Sequence, residues 1–538
     1  MKKQILLLCM ITASVFVTFA DKTIYVAPAV QGTGDGTSAA NACTFTNVLG
    51  STTPVVSATV PLDATGFTTI ILPSGGSFQE KTGSATSARI VFPASCKVII
   101  EGNNSTLSGY ANDTRILRVG TGGNITIKNI IFKDGAHLAA PGAAIFFGGD
   151  DLVISNCTFD NNNSEDGGAI TSRGKNVKIS NSCFKNNKIS GTNGAAIVHT
   201  GTTTGGSLSV ENTTFYNNTG ASAKPCYGTA ICTAYDNYPN AGGTKGYLNT
   251  VDITNCTFFA NKSATNLTEG YATVYLSELV AGTNSTTATF VNNIFYGNSN
   301  CGIYIAGVKQ TVKLINNVIV GDSYSNVSGS GIYDNGVIAG STIANGRPAI
   351  TGYNNYIVAK TPTSASISEL SSGTNGNTFA TIASQNDIDL LGLSSALQTS
   401  VLVPYLAITT SSSPLVEKGI SLFSGVTIPS TDSRGVTRGS GTTGTKFDIG
   451  AYEFDNLTTN IQNVMEESFV LRQTSGEISI ESLDGKYLQV NIYSTTGQSI
   501  YSVNANKLLT IQKNQLPKGV MILTVNNGIK SVAKKMVL

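Results

Sequence analysis

Tryptophan is absent from the 538 residues. That removes the side chain best suited to stacking on a sugar ring and leaves 20 Tyr as the main alternative. Charge is scarce as well. Asp, Glu, Lys and Arg together make up 12 % of the chain and the net charge is +2, which excludes a broad basic face for nucleic acid and an acidic tail. No long apolar run follows residue 20, so no later segment is expected to span a membrane as a helix. Gly, by contrast, is plentiful at 57 residues, and Asn, Ser and Thr recur throughout. This is the composition of many short strands and tight turns with little helix. The length excludes one compact core and calls for several domains or a repeat array.

Residues 1–20 form a separate case. Lys2 and Lys3 precede an apolar run from Ile5 to Val17, and Thr18 and Ala20 are the small residues wanted before a cut. This pattern predicts a signal peptide removed before Asp21, too short in its apolar part to favour a transmembrane anchor. Cys9 lies inside the apolar run, behind three leucines, which argues against a lipoprotein. Eight cysteines then remain, an even number that permits disulfides in an exported chain, with Cys226 and Cys232 the nearest candidates. Cys157, Cys183 and Cys256 fall inside a repeated phrase where a small buried residue serves equally well, and their spacing is not that of a zinc site.

The repeated phrase is aligned by an aromatic or aliphatic slot occupied by Phe132, Phe159, Phe184, Phe215, Phe258, Phe295, Ile319 and Ile357. Three residues before it stand Asn129, Asn156, Asn181, Asn212, Asn255, Asn292, Asn316 and Asn354. Positions five and seven before the slot are apolar in nearly every copy, for example Ile154 and Leu152, and share the parity of one strand face. The Asn falls where the chain must turn, and such residues are expected to stack at one corner as a hydrogen-bonded ladder, with the rings of the slot stacked beside it. A second column follows each copy, from GAAI at Gly142 to GGAI at Gly167, GAAI at Gly194 and GTAI at Gly228. Steps swell in places, as between Phe215 and Phe258, where Cys226 to Lys245 is expected to protrude as a loop. A fixed minimum step with variable excess is solenoid behaviour. The fold class predicted is all-β: a right-handed parallel β-helix, the hand following from the general preference of parallel crossovers, and then a small antiparallel β-sandwich.

The phrases FDNN, FKNN, FYNN and GGAI resemble the repeats of chlamydial polymorphic outer-membrane proteins and of bacterial pectin-lyase-like β-helix proteins. The opening TIYVAPAVQGTGDGTSAANACTFTNVL is similar to the first segment of that group, where a capping helix often covers the open end. The run SPLVEKG, TDSRGVTRG and DIGAYEF resembles the ending of β-helix proteins with a choice-of-anchor Q domain. Asp432, Gly435, Arg438 and Asp448 to Glu453 fit that pattern, and Val416-Glu417-Lys418 departs from it. The expectation is that Asp432, Arg438, Asp448 and Glu453 form ion pairs and turn caps at the end of the solenoid. VNIYSTTGQSIYS, LPKGVMILTV and the late Lys534-Lys535 resemble the type A C-terminal sorting domain of the Bacteroidetes type IX secretion system, with Val520 where Tyr is usual. That resemblance implies contact with the type IX machinery, passage across the outer membrane, and release or attachment at the cell surface. The expected organisation is a signal peptide over 1–20, a cap and first coils over 21–115 and regular coils over 116–360. Last coils and the closing segment follow over 361–455, a linker over 456–462 and the sorting domain over 463–538.

Chemistry is thinly written. Lyases on this architecture need a base and often carboxylate-bound calcium, and hydrolases need clustered Asp or Glu. Extending the GAAI strand outward pairs Arg173 with His199 one coil apart, near an acidic group of Asp150, Asp151, Glu165 and Asp166. No cofactor is expected, calcium being the one possible ion, and no metal site is assigned. Two functions stand: a monomeric surface or secreted adhesin or glycan-contacting module without catalysis, or a polysaccharide lyase or glycoside hydrolase. Its partners would be polysaccharide or host-surface glycan, not nucleic acid.

Overall fold

The computed structural model describes residues 22–52, 55–79, 90–109, 113–221, 226–233, 246–263, 272–276, 285–298, 301–305, 310–320, 332–334, 349–359, 370, 372–381, 389–439 and 446–454 of the first part of the chain. In the last part it describes 464–466, 469–473, 477–482, 487–494, 497–506, 508–526 and 531–537. The predicted signal peptide and the linker lie outside these residues. The chain divides into two compact units, Met1–Phe454 and Asp455–Leu538.

The first unit is a stack of coils built on three columns of short strands, with a fourth short strand such as Asn163–Ser164 in some coils. One coil runs Asp151–Ser155, Thr158–Asp160 and Ile170–Ser172. Each strand pairs in parallel with its counterpart in the next coil, Leu152 opposite Val177, Phe159 opposite Phe184 and Ile170 opposite Ile197. We call the three resulting columns first, second and third. Leu152, Ile154, Phe159 and Ile170 all point inward and are buried, so alternate residues of every strand feed one continuous core. At the start of the stack, helix Phe45–Leu49 opens on a Thr44/Asn47 capping box and sends Phe45 and Val48 into that core. Rings stack along the second column, with centroids 4.4–5.0 Å apart from Phe132 through Phe295, close to the strand spacing itself.

Asparagine does two different jobs at the corners. All eight Asn residues three before the slot have positive φ, between 47° at Asn212 and 55° at Asn129 and Asn292. They turn the backbone through the left-handed region that Asn tolerates best after Gly. Side-chain bonds between neighbours run only from Asn212 through Asn255 and Asn292 to Asn316, at 3.0–3.2 Å. Asn129 instead donates to Glu101, and Asn181 is exposed. The buried ladder belongs to the Asn that follows each left-handed turn residue. Asn162, Asn187, Asn218, Asn261 and Asn298 follow the second corner, and each amide donates to the next amide oxygen at 2.8–2.9 Å. A second such ladder joins Asn293, Asn317, Asn355 and Asn377 after the first corner. The expected ladder thus forms only between Asn212 and Asn316, while the continuous buried ladders stand one residue later at the first corner of the later coils and, from Asn162 to Asn298, at the second corner. The reason is geometric: the residue in the left-handed turn faces out, and its successor is swung inward.

Asn187 shows what a rung does. Its Oδ1 accepts from the Asn162 N–H and amide, and its own amide reaches Phe159 O and Asn218. Asn187→Leu strands these groups in the dry core and is expected to cost about 3 kcal/mol or more. Asn181→Leu loses only tolerance of positive φ and is expected to cost about 1 kcal/mol. Denaturant midpoints of the two variants would check the order, and equal losses would refute the division of labour. The glycine opening each third-column strand is equally constrained: at Gly228, φ is 77° and a Cβ would lie 2.0 Å from Ile231 O.

Residues 389–454 do not continue the stack. They fold back along the outside of the second column, joined by small antiparallel bridges such as Gly419 to Phe447. Leu391, Leu406, Leu415, Ile449 and Tyr452 cover the outward residues Ile294, Val318, Val320 and Val358. In earlier coils the same outward positions hold Asp160 and Lys185, which form an ion pair at 3.4 Å. Strands of the later coils are therefore apolar on both faces because both are buried.

The second unit has two antiparallel sheets. One contains Val464–Glu466, Phe469–Gln473, Glu477–Ser482 and Leu508–Gln512, and the other Ser499–Asn506, Tyr487–Ser494, Val520–Asn526 and Ser531–Val537. They share a core of Ile478, Ile480, Leu488, Val490, Ile492, Ile511 and Leu523. The STTGQ turn closes a hairpin, with Ser494 N–H donating to Gln498 O at 2.8 Å and Gly497 at φ 85°.

Candidate functional site

The closing segment carries most of the buried charge. Arg438 uses all five of its donors: Nε to Thr431 O, Nη1 to Asp448 O and Glu453 Oε2, and Nη2 to Asn255 Oδ1 and Gly450 O. Asp432 binds Arg434 through its side chain and accepts the N–H groups of Arg434, Val436 and Glu453. Asp448 accepts from Glu417 and Phe454, and Glu453 from Gly439 and Asp448. Burial, then the Glu453 charge, pushes the Asp448 carboxyl up to about 7, and burial raises Glu453 as well. The network is a clip against the flank of the coils, since Arg438 reaches Asn255 and the amides of Asn316 and Asn354 reach Ile420 O and Lys418 O. Its position is thus lateral and not at the solenoid's end. Every one of these charged side chains is already engaged with protein groups, so the clip has no spare donor to offer a ligand.

The sequence-predicted site residues do not converge. His199 points into the core, fully buried, with Nδ1 3.4 Å from Ser172 O and Nε2 3.1 Å from Ser207 O. Burial holds its imidazole down to about 4, so it is neutral at physiological pH and cannot meet a substrate from solvent. Arg173 lies beyond the end of its strand with its guanidinium on the outer face, 5.5 Å from the Phe146 ring centroid. The two are therefore not a pair: alternation of side chains along the strand separates them. The four acids occupy two corners of one coil. Asp151 is held at the surface by the Asn176 amide at 2.8 Å, which in turn accepts from Ser207. Asp150 is exposed beside it. Glu165 and Asp166 follow the other corner, where buried Asp166 accepts the Thr192 N–H at 2.8 Å and the Asn193 N–H, and burial raises its pKa to about 6.

Cys226 and Cys232 are free and buried, not disulfide-linked. Cys232 sits in third-column strand Ile231–Cys232, and Cys226 packs with Ile189 and Ala195. The predicted loop therefore does not begin at Cys226, and its stretch 234–245 lies outside the described residues. Among the described residues no three His, Cys, Asp or Glu side chains gather as a metal site.

What sequence reading missed lies one residue earlier in each third-column strand. The columns followed outward from GAAI, through Phe147, Ser172 and His199, point inward and are buried. The outward column is Arg118, Phe146, Thr171, Val198, Cys232, Tyr275 and Tyr304, each opposite the next. Thr171, Val198 and Cys232 are themselves covered, in part by Tyr227 and Tyr275, and Tyr275 stacks on Tyr304 at 5.1 Å. At the other end Phe146 is half-buried and ringed by cations. The guanidinium carbons of Arg115, Arg173 and Arg118 lie 4.7, 5.5 and 5.9 Å from its centroid. Arg115 is 7 % exposed and anchored by Nε to Pro141 O at 2.8 Å, whereas Arg118 is exposed. Burial, then the charges of Arg118 and Arg173, lowers the Arg115 pKa to about 10. A ring among guanidinium groups has the chemistry to hold something anionic or planar by non-covalent contact.

Residues 82–238 match the family model described as a right handed beta helix region. Residues 474–538 match that of a secretion system C-terminal sorting domain. No curated protein matches the chain. No helix among the described residues is long and apolar enough to cross a membrane. The chain carries a right-handed β-helix together with a sorting domain that engages the type IX secretion machinery, and it is exported to the cell surface or beyond.

Proposed function

We propose that this exported β-helix is a glycan-contacting module, an adhesin in the broad sense, that binds without catalysis. The observation that carries the reading is the outward end of the third column. Its accessible chemistry is an aromatic ring among guanidinium groups, which recognises but neither protonates nor attacks. Of the candidate acid–base groups, His199 and Asp166 are buried and bonded to backbone, and the surface carboxylates Asp150 and Asp151 stand at a different corner from Glu165.

The test is a panel of polysaccharides offered to the mature protein in affinity electrophoresis. At least one is expected to retard it, with no unsaturated-product absorbance and no new reducing ends after prolonged incubation. Either product signal, lost in a His199→Ala or Asp166→Asn variant that remains folded, would replace the binding reading with the lyase or hydrolase reading. Failure to bind any glycan would remove the module reading as well.

A further inference from the structure

The arginine cluster narrows the kind of glycan. Three guanidinium groups share one ring, yet a ring has only two faces and each cation–π contact is worth about 0.5–2 kcal/mol. Like charges gathered this way repel, and the repulsion is strongest where one of them is buried, as Arg115 is. No ion pair with a carboxylate is formed by Arg115 or Arg118 among the described residues. Their arrangement is built and not accidental. Arg118 stands directly across the strand pair from Phe146, Arg173 follows the next strand, and Arg115 is fixed by a backbone carbonyl. Guanidinium groups are weakly hydrated and bind planar or tetrahedral oxyanions through paired N–H donors, so an incoming anion would relieve the repulsion and gain directed bonds.

We infer that Arg115 and Arg118, beside Phe146, bind the carboxylate or sulfate groups of an acidic polysaccharide. This rests on the glycan-contacting reading above and adds the charge of the ligand to it. The site selects polymers by their anionic groups, and binding weakens as salt screens the contact.

Three probes on one backbone test it: neutral dextran, carboxymethyl-dextran and dextran sulfate, immobilised and offered to the full mature protein. The parent is expected to bind one or both charged forms and to ignore the neutral one, the two charged arms separating carboxylate from sulfate preference. Arg118→Gln should weaken binding about tenfold, the size of one lost charge-assisted hydrogen bond. Arg118→Lys should recover part of the loss. Lys178→Gln, which removes an exposed charge from the first column, should change nothing. Unaltered thermal midpoints would show that the variants fold. Equal losses from Lys178→Gln would mean diffuse attraction and overturn the site. So would an Arg118→Gln variant that binds like the parent, or equal arginine-dependent binding to a DNA duplex. A parent that binds neutral glycans of the wider panel but no charged dextran sinks the anion site and leaves the module reading standing. No binding to any glycan sinks both.

Discussion

Cells producing the protein without residues 455–538 are expected to hold it in the periplasm, with little or none at the surface or in the medium. Among the described residues the second unit has its own core and its own two sheets, so its removal should leave the β-helix folded. The sorting match covers residues 474–538, the larger part of that unit. Fractionation, with protease accessibility on intact cells, reads the location, and the far-ultraviolet spectrum of the purified truncation reads the fold. Fusing 455–538 behind a signal-peptide-bearing reporter should carry that reporter out. A truncated protein reaching the surface at normal levels would refute the sorting role, whatever the coils bind.

Replacing Arg438 by Met should be the most damaging single change in the coils, at about 3–5 kcal/mol, the cost of leaving a buried charge without its partner. The guanidinium is buried, faces Glu453 at 3.2 Å and ties the closing segment to Asn255. Without it the segment loses its hold on the flank and Ile294, Val318 and Val358 face water. A lower denaturant midpoint and increased binding of an apolar dye would register both effects. Lys446→Met, at an exposed position near the clip, serves as the control and should move the midpoint by only a few tenths of a kcal/mol.

The clip also carries a pH signature. Asp448 is raised from the usual carboxylate range to about 7 by burial and by Glu453. A raised acid is favoured protonated in the fold, so its contribution is full below about pH 4 and fades as pH rises through about 7. Asp448→Asn cannot ionise. The variant should lose stability at pH 5, where an amide replaces an acceptor for Glu417 or Phe454, and should regain ground on the parent between pH 5 and 8. A constant difference across that range would show that Asp448 is ionised throughout.

How far residues alone reach is clearest at the Asn pairs. That Asn156 turns the chain and that Phe159 stacks follow from spacing, because an aligned column can only be satisfied by a stack. Which Asn of a pair enters the core does not follow. Asn161 and Asn162 are chemically the same, and only the positive φ of Asn161 decides that Asn162 is the rung. A similar half-turn misled the search for chemistry: a one-residue shift of parity places His199 inside and Phe146 outside. The apolar outward positions Ile294, Val318 and Val358 were readable signs that something covers the later coils, but nothing local says what.

Local chemistry thus settled the parts whose causes are local. Apolar alternation, left-handed turns and repeated steps made a β-helix of the described residues between 22 and 381, and the hairpins after residue 463 made a second all-β unit. Tertiary structure alone decided where distant segments land. The fold-back of 389–454, the reach of Arg438 to Asn255 across 183 positions and the meeting of Arg115, Arg118 and Arg173 at one ring all depend on docking. Docking is set by the shape and satisfaction of whole surfaces, and no short phrase contains those.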